Sequence, residues 1–282
     1  YKVSFIQTYK NKKINLYFEI RIMTLNRDLR IKIVEMIKRS GEGHLPSSFS
    51  IVDIIEYLYS NILKFKKDND KWIDRDYFIL SKGHGGPALY VVLEKHGFIN
   101  KKDLIEYGTK EGILSGHPDS TKIPGVEAST GSLGHGFPIA VGLALGLKIL
   151  NKLNRVFVLL GDGECHEGTI WEAAHVANNL RLGNICAVVD WNGSAAQLMP
   201  RDDLINKWKS FGWATNLIDG HNSDSLDKAF KNLKFSLNDN PNVLIAKTIK
   251  GKGVSFVEGH GAWHHKIPNS QEMLEIMKEL KS

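Results

Sequence analysis

Val156-Phe157-Val158-Leu159-Leu160-Gly161-Asp162-Gly163-Glu164, and later Ile185-Cys186-Ala187-Val188-Val189-Asp190-Trp191-Asn192-Gly193-Ser194, are the stretches on which the fold turns. Each opens as an unbroken apolar run, which suits a strand buried on both faces rather than one. Each then breaks at a polar turn containing glycine. Helical spacing fills 168–180 between them, so the unit reads strand, helix, strand. Working outward, further apolar runs at 77–80, 214–218 and 243–248 alternate with helical patterns near 87–96, 202–210 and 224–237. That alternation predicts an α/β fold: a doubly wound, mostly parallel sheet with helices on both faces and right-handed crossovers. Ahead of the sheet, Leu29, Ile33, Met36 and Ile37 predict a helix over 25–39. Ile51, Ile54, Ile55, Leu58 and Ile62 predict another over 51–63, with Ser50 as its cap. A loop over 40–48, rich in Gly and Ser, joins them and holds His44.

No internal repeat or linker interrupts the chain, so residues 23–282 are expected to form one domain. Residues 1–22 are basic and aromatic and lack the apolar centre of a signal peptide. They are expected to be an extension outside the fold, with Met23 as the natural start. The hydrophobic fraction of 42% and charged fraction of 24% are those of an ordinary soluble protein. No run approaches the ~18 apolar residues of a membrane span. The two cysteines, Cys165 and Cys186, make neither a disulfide framework nor a Cys-x-x-Cys site, which points to a reducing, cytoplasmic setting. The net charge of +6 raises nucleic acid as a partner. The basic residues are dispersed, however, and their densest cluster, Lys10, Lys12 and Lys13, lies in the extension. No helix or loop combines concentrated Arg and Lys with stacking aromatics, so nucleic acid is set aside. A phosphorylated ligand needs only a few of these cations.

In an open α/β sheet, ligands bind beyond the carboxyl ends of the strands. The chemistry therefore belongs at 81–87, 161–168, 190–194 and 250–265. Asp162 and Asn192 stand thirty residues apart, and neighbouring strands would bring them out side by side. A carboxylate and an amide oxygen are hard donors, which suit magnesium completing its shell with phosphate oxygens. Gly161 and Gly163 allow close backbone approach to a diphosphate, and a helix starting near Gly168 would turn its positive end toward it. Gly-Asp-Gly alone is also a common turn; the matched Asn gives it chemical meaning. Four of the eleven histidines, His44, His84, His117 and His264, sit in glycine-rich or loop segments. Imidazoles there can donate or accept protons near neutrality.

Gly161-Asp162-Gly163-Glu164-Cys165-His166-Glu167-Gly168, followed by Trp171-Glu172-Ala173-Ala174, resembles the transketolase family. So do Ser40-Gly41-Glu42-Gly43-His44, Leu80-Ser81-Lys82-Gly83-His84, and Ser115-Gly116-His117-Pro118 with Pro124-Gly125-Val126-Glu127. The same holds for Thr130-Gly131-Ser132-Leu133-Gly134-His135-Gly136, and for Lys250-Gly251-Lys252-Gly253-Val254 running to Trp263-His264. The resemblance extends from about Arg27 to Lys266.

The resemblance implies a thiamine-diphosphate-binding fold that uses Mg²⁺ and transfers a two-carbon ketol unit from a ketose or ketose phosphate to an aldose. It makes Asp162 and Asn192 side-chain ligands of the metal and gives Ser194 a backbone-carbonyl contact. Glu167 matches a carboxylate linking two cofactor sites across a dimer interface. His84 and His264 would contact the diphosphate, with His264 also near substrate, while His44 and His117 would contact substrate hydroxyls and the two-carbon fragment. The backbones of Ser132 and Leu133 would approach the cofactor. The charges of Lys250 and Lys252 suit either attraction of phosphate or an exposed surface role.

A full transketolase has further domains, one of which supplies the glutamate that activates the cofactor. This chain stops at Ser282, so the resemblance implies a separate C-terminal subunit, in a heterotetramer with two copies of each chain. Two features depart from the family. Ala195-Ala196-Gln197-Leu198 follows the magnesium Asn where an Asp-Gly is usual, and His135 stands where Gln is frequent. The competing readings are a subunit of a 2-oxo-acid dehydrogenase and a non-catalytic interaction subunit.

Overall fold

Residues 26–197, 199–200 and 203–282 are described by the computed structural model; the expected extension at 1–22 lies outside them. Helix α1 covers 26–40 and buries Leu29, Ile33, Met36 and Ile37, as their spacing requires. Its Arg30 pairs with Asp53 at 2.6 Å and donates from Nε to the Lys252 carbonyl, fastening the helix to two distant segments.

The expected 40–48 loop contains a short helix, α2 (Leu45–Phe49), with His44 just ahead of it. Pro46 sits in its first turn, where a missing N–H breaks no bond. Ser50 is not the cap of the next helix: Ile51 holds that position, and the buried Ser50 hydroxyl turns inward to the Ser47 carbonyl and the Asp190 carboxylate. Helix α3 (Val52–Tyr57) runs into a π-helical turn, Leu58–Ile62.

The remaining elements are β1 (Tyr77–Leu80), α4 (Gly86–Lys95), α5 (Lys101–Ile105), α6 (Gly136–Ile149), β2 (Val156–Gly161) and α7 (Gly168–Asn179), then β3 (Ile185–Trp191), α8 (Leu204–Ser210), β4 (Ala214–Asp219), α9 (Ser223–Lys231), β5 (Asn242–Lys247) and α10 (Ser270–Lys281). Helix α9 ends at Lys231, short of the expected 237. Helices α5, α6 and α10 were not expected from periodicity. Helix α6, Gly-Phe-Pro-Ile-Ala-Val-Gly-Leu-Ala-Leu-Gly-Leu-Lys-Ile, is apolar nearly all round and so has no polar face to reveal its period. A capping box marks the start of α10, where Asn269 and Glu272 satisfy each other's backbone N–H groups.

The strands form one five-stranded parallel sheet in the order β1-β2-β3-β5-β4. Alternate residues of β1, β2, β3 and β5 enter two separate cores. Ile79, Val158, Leu160, Ala187, Val189 and Ile245 pack with α6, α7 and α8. Phe78, Leu80, Phe157, Leu159, Val188 and Leu244 pack with α1 to α4, α9 and α10. Burying each such side chain contributes about 1.5–3 kcal/mol, which explains why the central strands read as continuous apolar runs. Only Ile218 of β4 is buried, as befits an edge strand.

Right-handed crossovers in this strand order put α6, α7 and α8 on one face and α9 on the other, as found. The chain therefore reverses between β3 and β5, and the loops leaving those two adjacent strands part to opposite faces. In doubly wound sheets ligands bind where such loops part.

Candidate active site

Strand register places Gly161 beside Asp190, and the Asp162 amide donates to the Asp190 carbonyl at 3.1 Å, so β2 and β3 end together. The turn after β3 then folds back over both tips. The Ser194 N–H donates to Asn192 Oδ1 at 3.0 Å, and the next N–H, of Ala195, donates to Asp162 Oδ2 at 3.3 Å. Two consecutive amides thus gather the two oxygens that sequence reasoning had paired.

The Asp162 carboxylate is only 2% exposed and otherwise accepts one bond, from the Gly163 N–H at 2.8 Å. Among the described residues it forms no ion pair, and burial, then the neighbouring Asp190, push its pKa above the ordinary value. A buried carboxylate with no direct ion pair among the described residues, grouped with an amide oxygen, is a donor set that fits a small hard cation. A Cβ on Gly163 would meet nothing within 4 Å, so the backbone there is open to a ligand.

Beneath this pair lies a polar layer that sequence reasoning missed. Lys82, 1% exposed, follows β1 and places Nζ 2.6 Å from Asp190 Oδ2. Asp190 is wholly buried and also receives Ser50 Oγ (2.8 Å), Asn192 Nδ2 (2.9 Å) and the Thr248 hydroxyl. Burial pushes the Asp190 carboxyl up, but Lys82 outweighs it and holds the group below the usual range.

Glu164, equally buried, accepts from Ser81 Oγ (2.5 Å), the Gly134 N–H (3.0 Å) and the Gly161 N–H (3.1 Å). One carboxylate thereby joins the ends of β1 and β2 to the 130–136 loop. Lys82 and Glu164 each follow an apolar strand by a few residues, and that was the available signal.

The histidines converge from four loops. The His44 ring centroid lies 5.2 Å from His84, 6.4 Å from His117 and 5.7 Å from His264. Sequence reasoning overlooked a fifth, His265, whose Nε2 is 3.1 Å from His44 Nε2; the His264-His265 doublet was its only trace. Burial, then His265, His264 and His117, bring the His44 pKa down to about 4. Burial and then Lys82 lower that of His84 to about 2. Both are therefore neutral at physiological pH.

Lys250 reaches in from beyond β5, with Nζ 2.9 Å from His264 Nδ1 and 3.2 Å from Ser194 Oγ. His44, His264 and His265 bring ligand atoms within 4.8 Å of one another, a spacing compatible with a metal. The ammonium already resting on His264, with Lys82 behind, disfavours a second cation there and suits an anion or hydroxyls.

Not every expected residue joins this cluster. Lys252 turns away to Glu258 at 3.7 Å. Glu167 is exposed at the start of α7, its side chain packed against Gly134. Ser132 and Leu133 lie on the 130–136 loop that Glu164 anchors, and His135 Nδ1 contacts the Leu133 carbonyl at 3.1 Å.

Gly83 seats that loop. A Cβ there would stand 2.7 Å from the Gly131 nitrogen and 2.8 Å from the Thr130 carbonyl carbon, both backbone atoms that cannot rotate aside. Gly83→Ala is expected to destabilise the fold by about 1–3 kcal/mol, the usual range for overpacking. Urea unfolding checks it, and wild-type stability would show that the two loops are not in contact.

The transketolase thiamine-diphosphate-binding domain model matches residues 22–280. A subunit of the apulose-4-phosphate transketolase of Phocaeicola vulgatus is 36% identical over 256 residues, covering 89% of this chain and 90% of that protein. A 6-deoxy-6-sulfo-D-fructose transketolase subunit of a Clostridium species is 38% identical over 242 residues, covering 84% and 88%. In fold, the chain superposes on transketolase from Leishmania mexicana with a TM-score of 0.85 at 24% identity, over 92% of this chain. It spans only 41% of that solved chain.

Proposed function

Because the chain belongs to the transketolase family, we propose that it is the thiamine-diphosphate-binding subunit of a two-chain enzyme that moves a two-carbon ketol unit from a ketose or ketose phosphate to an aldose. The observation that carries this reading is the meeting of Asp162 and Asn192 under one turn, with a buried carboxylate that forms no direct ion pair among the described residues. Asp162, Asn192 and the Ser194 carbonyl would hold Mg²⁺, and the open backbone at Gly163 leaves room for the diphosphate, whereas Gly161 is buried and gives its N–H to Glu164. Thiamine diphosphate supplies the nucleophilic carbon that cleaves the donor's carbon–carbon bond and carries the fragment.

The chain's own residues bind, orient and move protons around that centre. Lys250, His84 and His264 surround the place of the phosphoryl oxygens. The neutral imidazoles of His44 and His84 can each donate from one nitrogen and accept at the other. His44 and His117 are placed to exchange protons with substrate hydroxyls.

A partner subunit would supply the remaining groups, in a heterotetramer with two copies of each chain. The relatives are named as subunits, which supports this, as does the surface. Ile139, Ile149, Leu150 and Leu153 are exposed along α6 and just after it. Val176 on α7 and Leu180 just after it are exposed too, and Lys148 bonds the Leu180 carbonyl between the two helices. Contiguous exposed aliphatics of this kind mark protein contacts. Glu167 stands at the start of α7 and belongs with that assembly.

Purified alone, the chain is expected to show no ketol transfer with any donor. Mixed with its partner, it should do so with thiamine diphosphate and Mg²⁺ present, at a native mass matching two copies of each chain. Turnover by the isolated chain would overturn the two-chain reading.

A further inference from the structure

Asn192 offers a cation its oxygen only if the amide is held one way round, since the nitrogen half would repel it. The polar layer behind β3 settles that choice. Asn192 Nδ2 donates to Asp190 Oδ2 at 2.9 Å, and Asn192 Oδ1 accepts from the Ser194 N–H at 3.0 Å. Reversed, the amide would set oxygen against a carboxylate and NH₂ against a backbone N–H. Both contacts would be repulsive, because an ionised carboxylate only accepts and a backbone N–H only donates.

Asp190 is itself locked. Lys82 Nζ at 2.6 Å and Ser50 Oγ at 2.8 Å meet the same oxygen that Asn192 uses, and Thr248 meets the other. Lys82 also donates to the Ser47 carbonyl at 3.3 Å, which fixes the ammonium from behind.

We propose that Asp190, fixed by Lys82, Ser50 and Thr248, is a positioning residue that orients the Asn192 amide so that its oxygen faces the cation beside Asp162. It touches neither metal nor cofactor and acts only through Asn192. The inference rests on the reading of Asn192 as a metal ligand.

The test measures Mn²⁺ affinity, by electron paramagnetic resonance, in the assembled two-chain complex with thiamine diphosphate present. Asp190→Leu removes the acceptor altogether and lets the Asn192 amide turn, whereas an amide at 190 would keep an oxygen facing Lys82, Ser50 and Asn192. A loss of roughly 10–100-fold in Mn²⁺ affinity is expected, the usual cost of removing an outer-shell partner. Asn192→Asp alone should also bind weakly, because it sets two carboxylates at the 2.9 Å contact. The double variant Asp190→Leu, Asn192→Asp removes the facing carboxylate and presents an oxygen in either orientation, so it needs no orienting partner. It is expected to recover affinity to within roughly fivefold of wild type, a coupling that a merely structural Asp190 would not produce.

Asp190→Leu binding Mn²⁺ as tightly as wild type overturns the proposal. If that variant does not fold, the double variant is compared with Asn192→Asp, and no gain overturns it equally. A wild-type complex that takes up no Mn²⁺ fails the functional reading first and the proposal with it.

Discussion

Asp162→Asn is expected to lower ketol transfer by the two-chain complex roughly a thousandfold while leaving the fold in place. The substitution keeps the shape and removes the charge. In the native site the carboxylate is buried, receives N–H bonds from Gly163 and Ala195, and has no ion-pair partner among the described residues. Its charge is a folding cost that the two N–H bonds and the nearby Lys82 offset only in part. Removing one partner of a buried, desolvated charge pair costs about 3–5 kcal/mol, and about 4 kcal/mol corresponds to three orders of magnitude. The apoprotein responds differently. Asn relieves the buried charge but has one oxygen for two N–H donors, leaving one unsatisfied at about 1–3 kcal/mol. These effects oppose, so the metal-free melting temperature should move by only a few degrees. Metal-dependent cofactor binding, steady-state rates and thermal melts check the two halves separately. Near wild-type turnover at low Mg²⁺ would remove Asp162 from the metal site.

Lys82→Met is expected to lower stability by about 3–5 kcal/mol, because it strands a fully buried carboxylate at Asp190. The sign of its pH dependence follows from the shifts. In the native protein, Lys82 holds the Asp190 pKa below its unfolded value. The contribution of Asp190 is therefore present above the unfolded carboxylate pKa and is lost as pH falls through the lower folded one. Without Lys82 the burial effect dominates and the folded pKa rises above the unfolded one. The deficit of the variant is then fully present at neutral pH and shrinks as acid protonates Asp190. Lys82→Met with Asp190→Asn removes both charges and should recover much of the loss. Urea titrations at neutral and mildly acidic pH measure this. A deficit that is constant with pH, or that grows in acid relative to wild type, would show that Asp190 is not the group left stranded.

Much of the fold was legible in advance because central parallel strands carry a strong local signature. Burial on both faces forces unbroken apolar runs, and 156–160 and 185–189 could not be anything else at that length. The lone Asp162 and the Asn thirty residues on were legible for the same reason: polar residues at the tip of such a run have few roles. Helix α6 was not legible, since an all-apolar helix shows no period. The role of Ser50 was misread as a cap because capping is a local preference, and the pull of Asp190 from 140 residues away is not. His265 was passed over because an exposed histidine at a chain bend carries no local mark.

By itself the sequence determined the alternation of strands and helices, the polar residues at each strand's carboxyl end, and the family resemblance written in six ordered segments. Tertiary structure alone decided which of those ends meet. Strand order β1-β2-β3-β5-β4 set β2 and β5 on either side of β3, bringing Lys82, Asp190, Thr248 and Lys250 to one place. The reason is physical. Backbone and periodicity preferences act over a few residues, whereas a buried charge is settled by whichever partner the packed sheet delivers to it, however far along the chain that partner lies.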